Sequence, residues 1–79
     1  MTEIILFTKS DCQKCDHVME KMPEGVDVNI LDAETVDGMA LAAYHEILEE
    51  DMPVLVVDDV VFTGALKILN RLKELAGKE

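Results

Sequence analysis

The chain has 79 residues, enough for one domain with a packed core and too few for two. Hydrophobic residues make up 49% and charged residues 30%, a balance that excludes a disordered chain. Seven Lys and Arg against seventeen Asp and Glu give a net charge of −10, which argues against nucleic acid and anionic membrane surfaces as partners.

Glu3 to Phe7 is a short apolar run with two β-branched residues, and its unbroken pattern predicts an interior strand covered on both faces. Thr8-Lys9-Ser10-Asp11 follows as a loop. From Cys12 to about Met22, the residues Cys15, Val18, Met19 and Met22 fall on one helical face, and Ser10 or Asp11 is placed to cap the start. Pro23-Glu24-Gly25 ends this helix, and Val26-Asp27-Val28-Asn29-Ile30 alternates apolar with polar as a half-exposed strand does. Two strands joined through one helix make a right-handed unit with parallel strands the expected topology.

A second helix is expected from Thr35 to about Glu49, with Val36, Met39, Ala40, Ala43, Tyr44, Ile47 and Leu48 forming the cleanest apolar stripe in the chain. Gly38 weakens its first turn. Val54-Leu55-Val56-Val57 and Val60-Val61-Phe62 then form a hairpin around Asp58-Asp59, a weaker turn pair than Asp-Gly because a positive φ costs more without glycine. A last helix turns Leu66, Leu69, Leu72, Leu75 and Ala76 inward and Lys67, Arg71, Lys73, Glu74 and Lys78 outward. The order β-α-β-α-β-β-α over residues 1–79 predicts an α/β fold, a four-stranded mixed sheet flanked by helices, in a single domain.

The chemistry centres on Cys12-Gln13-Lys14-Cys15. A disulfide across so short a loop removes little entropy from the unfolded chain, so the pair makes a poor structural staple. The junction of a strand's loop with a helix suits a different task. Unpaired N–H groups and the positive end of the helix dipole favour a thiolate at Cys12, which predicts a Cys12 pKa below the ordinary thiol range and makes it the nucleophile. Cys15 lies one turn further in on the apolar face and is the resolving thiol. Lys14 adds a cation beside the pair, opposed by Asp11 and Asp16. Zinc or an iron–sulfur centre needs about four ligands, and the soft or borderline donors are Cys12, Cys15, His17 and His45. No internal metal site is expected. His17 and His45 are read as solvent-facing helix residues, and Met19, Met22, Met39 and Met52 as packing.

With C-x-x-C after the first strand and Met52-Pro53 opening the third, the whole chain resembles the thioredoxin superfamily, and its short length resembles the glutaredoxin branch. Phe7-Thr8-Lys9-Ser10-Asp11-Cys12-Gln13-Lys14-Cys15 is similar to the glutaredoxin active-site segment, including the lysine three positions before the first cysteine. Small archaeal thioredoxin-like proteins and the redoxins that serve ribonucleotide reductase are also similar. The resemblance implies a thioredoxin-like fold and a cis Met52–Pro53 bond with Pro53 against the sulfurs. It also implies substrate contacts from Lys9, the Met52 backbone and the Thr63-Gly64 turn. Gln13 stands where the family's motif commonly has proline, and the chain has no Trp. Thr63-Gly64-Ala65-Leu66 has one glycine and no following aspartate where glutaredoxins show Gly-Gly and an acidic residue for glutathione.

These observations imply a protein disulfide oxidoreductase with no bound cofactor. Its partners would be disulfide-containing proteins, with electrons from a flavoprotein reductase of the thioredoxin-reductase type or from glutathione. No apolar run approaches a membrane span, and the start lacks a basic n-region and a small-residue cleavage site, so a cytoplasmic monomer is expected. The alternative is a metal-handling module in which the two thiols hold a soft ion such as Cu(I), or zinc shared between two chains.

Overall fold

Ile4-Ile5-Leu6-Phe7 offers no polar face, so a strand built from it has to be covered on both sides. In the computed structural model, which describes residues 3–77, β1 (Ile4–Thr8) is buried along its whole length inside a four-stranded sheet of order β2-β1-β3-β4. β2 (Asn29–Asp32) pairs with β1 in parallel, Ile5 lying opposite Asn29 and Thr8 opposite Asp32. β3 (Val54–Val57) runs antiparallel on the other side of β1, and β4 (Val60–Thr63) completes a hairpin at the edge. Helices α1 (Gln13–Lys21), α2 (Val36–Tyr44) and α3 (Ala65–Ala76) fill the remaining places, so the element order is the expected one.

Period-two alternation divides the sheet's side chains between two cores. Ile4, Leu6, Leu55 and Val57 point to the side where α1 contributes Val18 and α3 contributes Ile68, Leu69 and Leu72. Ile5, Phe7, Val54 and Val56 point to the other, where Ala42 of α2, Ile47, Met52 and both cysteines gather. No helix among the described residues is long and apolar enough to cross a membrane.

Several boundaries and faces differ from expectation. β2 begins at Asn29 rather than Val26, because the ladder with β1 selects the later register, and Val26 and Val28 pack instead against the α1–α3 core. α2 stops at Tyr44 rather than near Glu49, since His45 leaves the helical region and Glu46 takes a φ of 60°. Its buried residues are Gly38 and Ala42, and the apolar stripe read as core points outward except for Ile47. Leu66, also expected inside, is 74% exposed at the start of α3. His45 is not solvent-facing: its side chain sits edge-on to the rings of Phe7 and Tyr44 and 3.9 Å from the Asp59 carboxylate. Lys78, expected on the outer face of the last helix, lies outside the described residues.

The hairpin turn shows how the chain does without glycine. Asp58 and Asp59 both take positive φ, 47° and 71°, as a two-residue turn that matches strand twist requires. Asp58 is held by its carboxylate, which accepts the Glu3 N–H at 2.8 Å. Asp59 is 79% exposed, and among the described residues its carboxylate makes only the long contact to His45, worth little in solvent. Asp59→Gly is therefore expected to stabilise the protein by about 0.5–1 kcal/mol by removing a left-handed penalty. Thermal unfolding should show this as a Tm rise of roughly 4 °C, and an unchanged or lower Tm would contradict it.

Candidate active site

β1 delivers the chain to one end of the sheet, and the loop after it must turn sharply to start α1. Asp11 makes the turn with a φ of 53°, and Cys12 follows in extended geometry. Cys12 itself is then the N-cap of α1, in place of the Ser10 or Asp11 expected. Its sulfur occupies the position where Ser or Asp oxygen ordinarily sits, accepting the Cys15 N–H at 3.2 Å. The next turn brings Cys15 back beneath it. The two are joined as a disulfide with their Cα atoms 5.2 Å apart, Cys12 8% exposed and Cys15 fully buried.

The second side of the site comes from the segment leading into β3. The Met52–Pro53 peptide is cis, as the resemblance implied, and the Met52 carbonyl oxygen lies 3.6 Å from Cys12 Sγ. Pro53 is buried. A cleft of about 330 Å³ is lined by Lys14, Met52, Pro53, Thr63 and Gly64, with Glu50 and Asp51 at its acidic side. A shallower depression of about 510 Å³ surrounds Cys12 and takes in Lys9, Gln13, Lys14, Asp51 and Met52. Lys14, Asp51 and Met52 belong to both, so the two form one continuous surface over the sulfur. Every residue the sequence singled out for the site, Lys9, Cys12, Lys14, Cys15, Met52, Pro53, Thr63 and Gly64, is thus gathered at one end of the sheet.

Sequence reasoning missed Glu50 and Asp51, although their place directly before Met52-Pro53 was a usable signal. It also missed Glu34. Ser10 donates to the Glu34 carboxylate from its hydroxyl at 2.7 Å and from its amide at 3.2 Å, which fastens the active-site loop to the start of α2. These two bonds, hydroxyl first, hold the Glu34 carboxyl below its usual range, with a smaller contribution from Lys9. A depressed carboxyl stabilises the fold above the ordinary value of 4.5 and loses that contribution as pH falls through the lower folded value. The Ser10 amide is therefore expected to keep its exchange protection through the neutral range and lose it only in acid. Glu34→Ala should lose it at all pH values, and equal protection in the variant would show that the tether is unimportant.

No family model and no characterised protein sequence matches the chain. Among solved structures, the thioredoxin-like protein BC3987 superimposes with a TM-score of 0.68 at 22% identity, covering 89% of this chain and 99% of that one. The protein has a thioredoxin-like fold. The first thioredoxin domain of mouse protein disulfide-isomerase A4 aligns with 99% of the chain at 13% identity and a TM-score of 0.52, and 65% of that domain is covered. Within this fold the cysteine pair lies at the end of β1 and the start of α1, and the residue before the cis proline lies against it through the Met52 carbonyl. A buried cysteine pair at disulfide distance in a thioredoxin-like fold fits a redox role.

Proposed function

We propose that this protein is a thiol–disulfide oxidoreductase that reduces disulfides in other proteins by cycling Cys12 and Cys15 between dithiol and disulfide. The observation that carries this reading is the Cys15 amide donating to the Cys12 sulfur at the N-terminus of α1. A hydrogen bond and a helix dipole aimed at one sulfur favour its anion, while complete burial of the other disfavours ionisation there. The two thiols are therefore made unequal, as sequential exchange requires.

In the reduced protein the Cys12 thiolate attacks one sulfur of a substrate disulfide, forming a mixed disulfide and releasing the other substrate sulfur as thiolate. Cys15 then gives up its proton and attacks Cys12 Sγ. The Cys12–Cys15 bond forms, the second substrate sulfur leaves, and two electrons have passed to the substrate. The Met52 carbonyl oxygen, 3.6 Å from Cys12 Sγ, supports a role for the Met52 backbone in aligning an extended substrate segment beside the sulfur. Lys9 and Lys14, which make no ion pair among the described residues, add positive potential over the attacking sulfur.

A flavoprotein reductase or glutathione returns the pair to the dithiol, and the protein works as a monomer in the cytoplasm. The test is reduction of insulin disulfides, followed with each donor separately: a thioredoxin-type reductase with NADPH, and glutathione with its own reductase. Turnover with at least one donor is expected, and inactivity with both and with dithiothreitol would overturn the reading. Zinc held by the same sulfurs would need further donors from elsewhere, whereas two thiolates alone can hold Cu(I). Among the described residues no group of three or more His, Cys, Asp or Glu is placed to hold a metal. Protein purified under reducing conditions is expected to carry no stoichiometric metal.

A further inference from the structure

The apolar stripe of α2 is outside the molecule. Val36 is 85% exposed, Met39 49%, Tyr44 74% and Leu48 55%, with Ala40 and Ala43 exposed between them. The helix meets the sheet through Gly38 and Ala42, residues too small to hold apolar bulk, so the larger side chains are left on the far side. Soluble monomers rarely leave a contiguous apolar helix face uncovered without a use for it.

Charge selects what could cover it. Between Lys21 and Lys67 the chain has no Lys or Arg and eleven Asp and Glu. Of the helical cations, Lys21, Lys67, Arg71 and Lys73 belong to α1 and α3, whose core lies on the opposite side of the sheet, and Lys14 stands at the first turn of α1 in the cleft. The α2 side therefore presents an apolar stripe rimmed by Asp37, Glu46, Glu49 and Glu50, with no Lys or Arg in the segment itself and Lys14 facing Glu50 only at the cleft. A second copy would set one anionic rim against another, and nucleic acid or an anionic membrane would be repelled. A protein with an apolar centre and a Lys- and Arg-rich rim is complementary.

The stripe is also linked to the redox site at both ends. Thr35, the N-cap of α2, directly follows Glu34, whose carboxylate holds Ser10 two positions before Cys12. At the other end a depression lined by Ala43, Leu48, Glu49 and Glu50 runs on through Glu50 into the cleft of Met52 and Pro53. We propose that the α2 face is the docking surface for the protein substrate, and that the enzyme selects disulfides lying beside an apolar patch with a basic rim. This rests on the exchange reading above and adds the class of protein that the site serves.

Two synthetic peptide disulfides test it with the full chain. They are identical except that Lys flanks the Cys pair and an apolar anchor in one, and Glu does so in the other. Hydroxyethyl disulfide serves as a small uncharged probe. The Lys peptide is expected to be reduced roughly tenfold faster at low ionic strength, an advantage that shrinks as salt is added. Asp37→Lys with Glu49→Lys should erase the advantage, and Met39→Ser with Tyr44→Ser should slow both peptides, while hydroxyethyl disulfide is reduced at the same rate by every form. Equal rates for the two peptides, with hydroxyethyl disulfide still reduced, would overturn the docking assignment alone. So would a dimer in sedimentation that Met39→Ser with Tyr44→Ser dissolves, since that gives the face to a second copy. Failure to reduce hydroxyethyl disulfide at all would bring down the exchange reading and this inference with it.

Discussion

Cys12→Ser is expected to abolish disulfide reduction, whereas Cys15→Ser is expected to stop the reaction halfway, with substrate held on Cys12. The two substitutions remove chemically identical groups, so the difference between them measures what the fold does to each sulfur. At position 12 serine retains an N-cap acceptor for the Cys15 amide, and hydroxyl oxygen caps a helix well. Stability should therefore be unchanged or slightly raised while the nucleophile is lost. Activity should fall by on the order of a thousandfold or more, equivalent to about 4 kcal/mol of barrier. At position 15 the hydroxyl enters a fully buried site, which costs about 1–3 kcal/mol and makes Cys15→Ala the companion variant. Either change leaves Cys12 able to attack and nothing to resolve the product. Mass spectrometry after mixing with insulin should find the covalent adduct in the Cys15 variants and none in Cys12→Ser. The reverse pattern would exchange the roles of the two sulfurs. Adducts of equal amount in both would show that capping and burial do not distinguish them.

What the sequence revealed depended on which features are local. The two sulfurs are three residues apart on one helical turn, so their approach needs only that a helix begin at Cys12, and strand, loop and apolar spacing all said that it does. β1 and β3 were legible because four consecutive apolar residues leave a strand no choice but burial. β2 was misplaced by three residues because Val26-Asp27-Val28-Asn29-Ile30 alternates as a strand does, while the residues that hydrogen-bond to β1 are Asn29–Asp32, which do not alternate. In α2 the apolar period identified the helix and misidentified its inner face. Periodicity gives the direction of the apolar stripe, yet what meets the sheet here is the pair Gly38 and Ala42, one turn apart, where small size matters more than hydrophobicity. Small residues four positions apart were the available signal. Glu50 and Asp51 received no role from the sequence, and their place at the cleft depends on the path of the chain between α2 and β3.

Gly38→Ala, a substitution that helix propensity alone would favour by about 1 kcal/mol, is expected to destabilise this protein by roughly 2 kcal/mol. A methyl group at Gly38 would collide with the Asp32 carbonyl and come within 3.0 Å of Thr35 Oγ1. The first obstacle is backbone, so no rotamer change relieves it, and the clash has to be met by moving α2 away from the end of β2. That movement has further consequences. The Asp32 carbonyl accepts both the Thr35 hydroxyl at 2.8 Å and the Thr35 amide at 3.1 Å, and Thr35 Oγ1 accepts the Gly38 amide at 3.0 Å. Displacement therefore loosens the N-cap of α2, and with it the Glu34 carboxylate that anchors Ser10 in the loop before Cys12. Thermal unfolding should show a Tm loss of roughly 10 °C. Gly77→Ala, where the new methyl would make only ordinary contact at 3.4 Å with the Lys73 carbonyl oxygen, should stay within about 0.5 kcal/mol of the parent. If Gly38→Ala proved as stable as Gly77→Ala, α2 would be free to ride outward. The close seating that turns its apolar side chains to solvent would then be incidental to the fold.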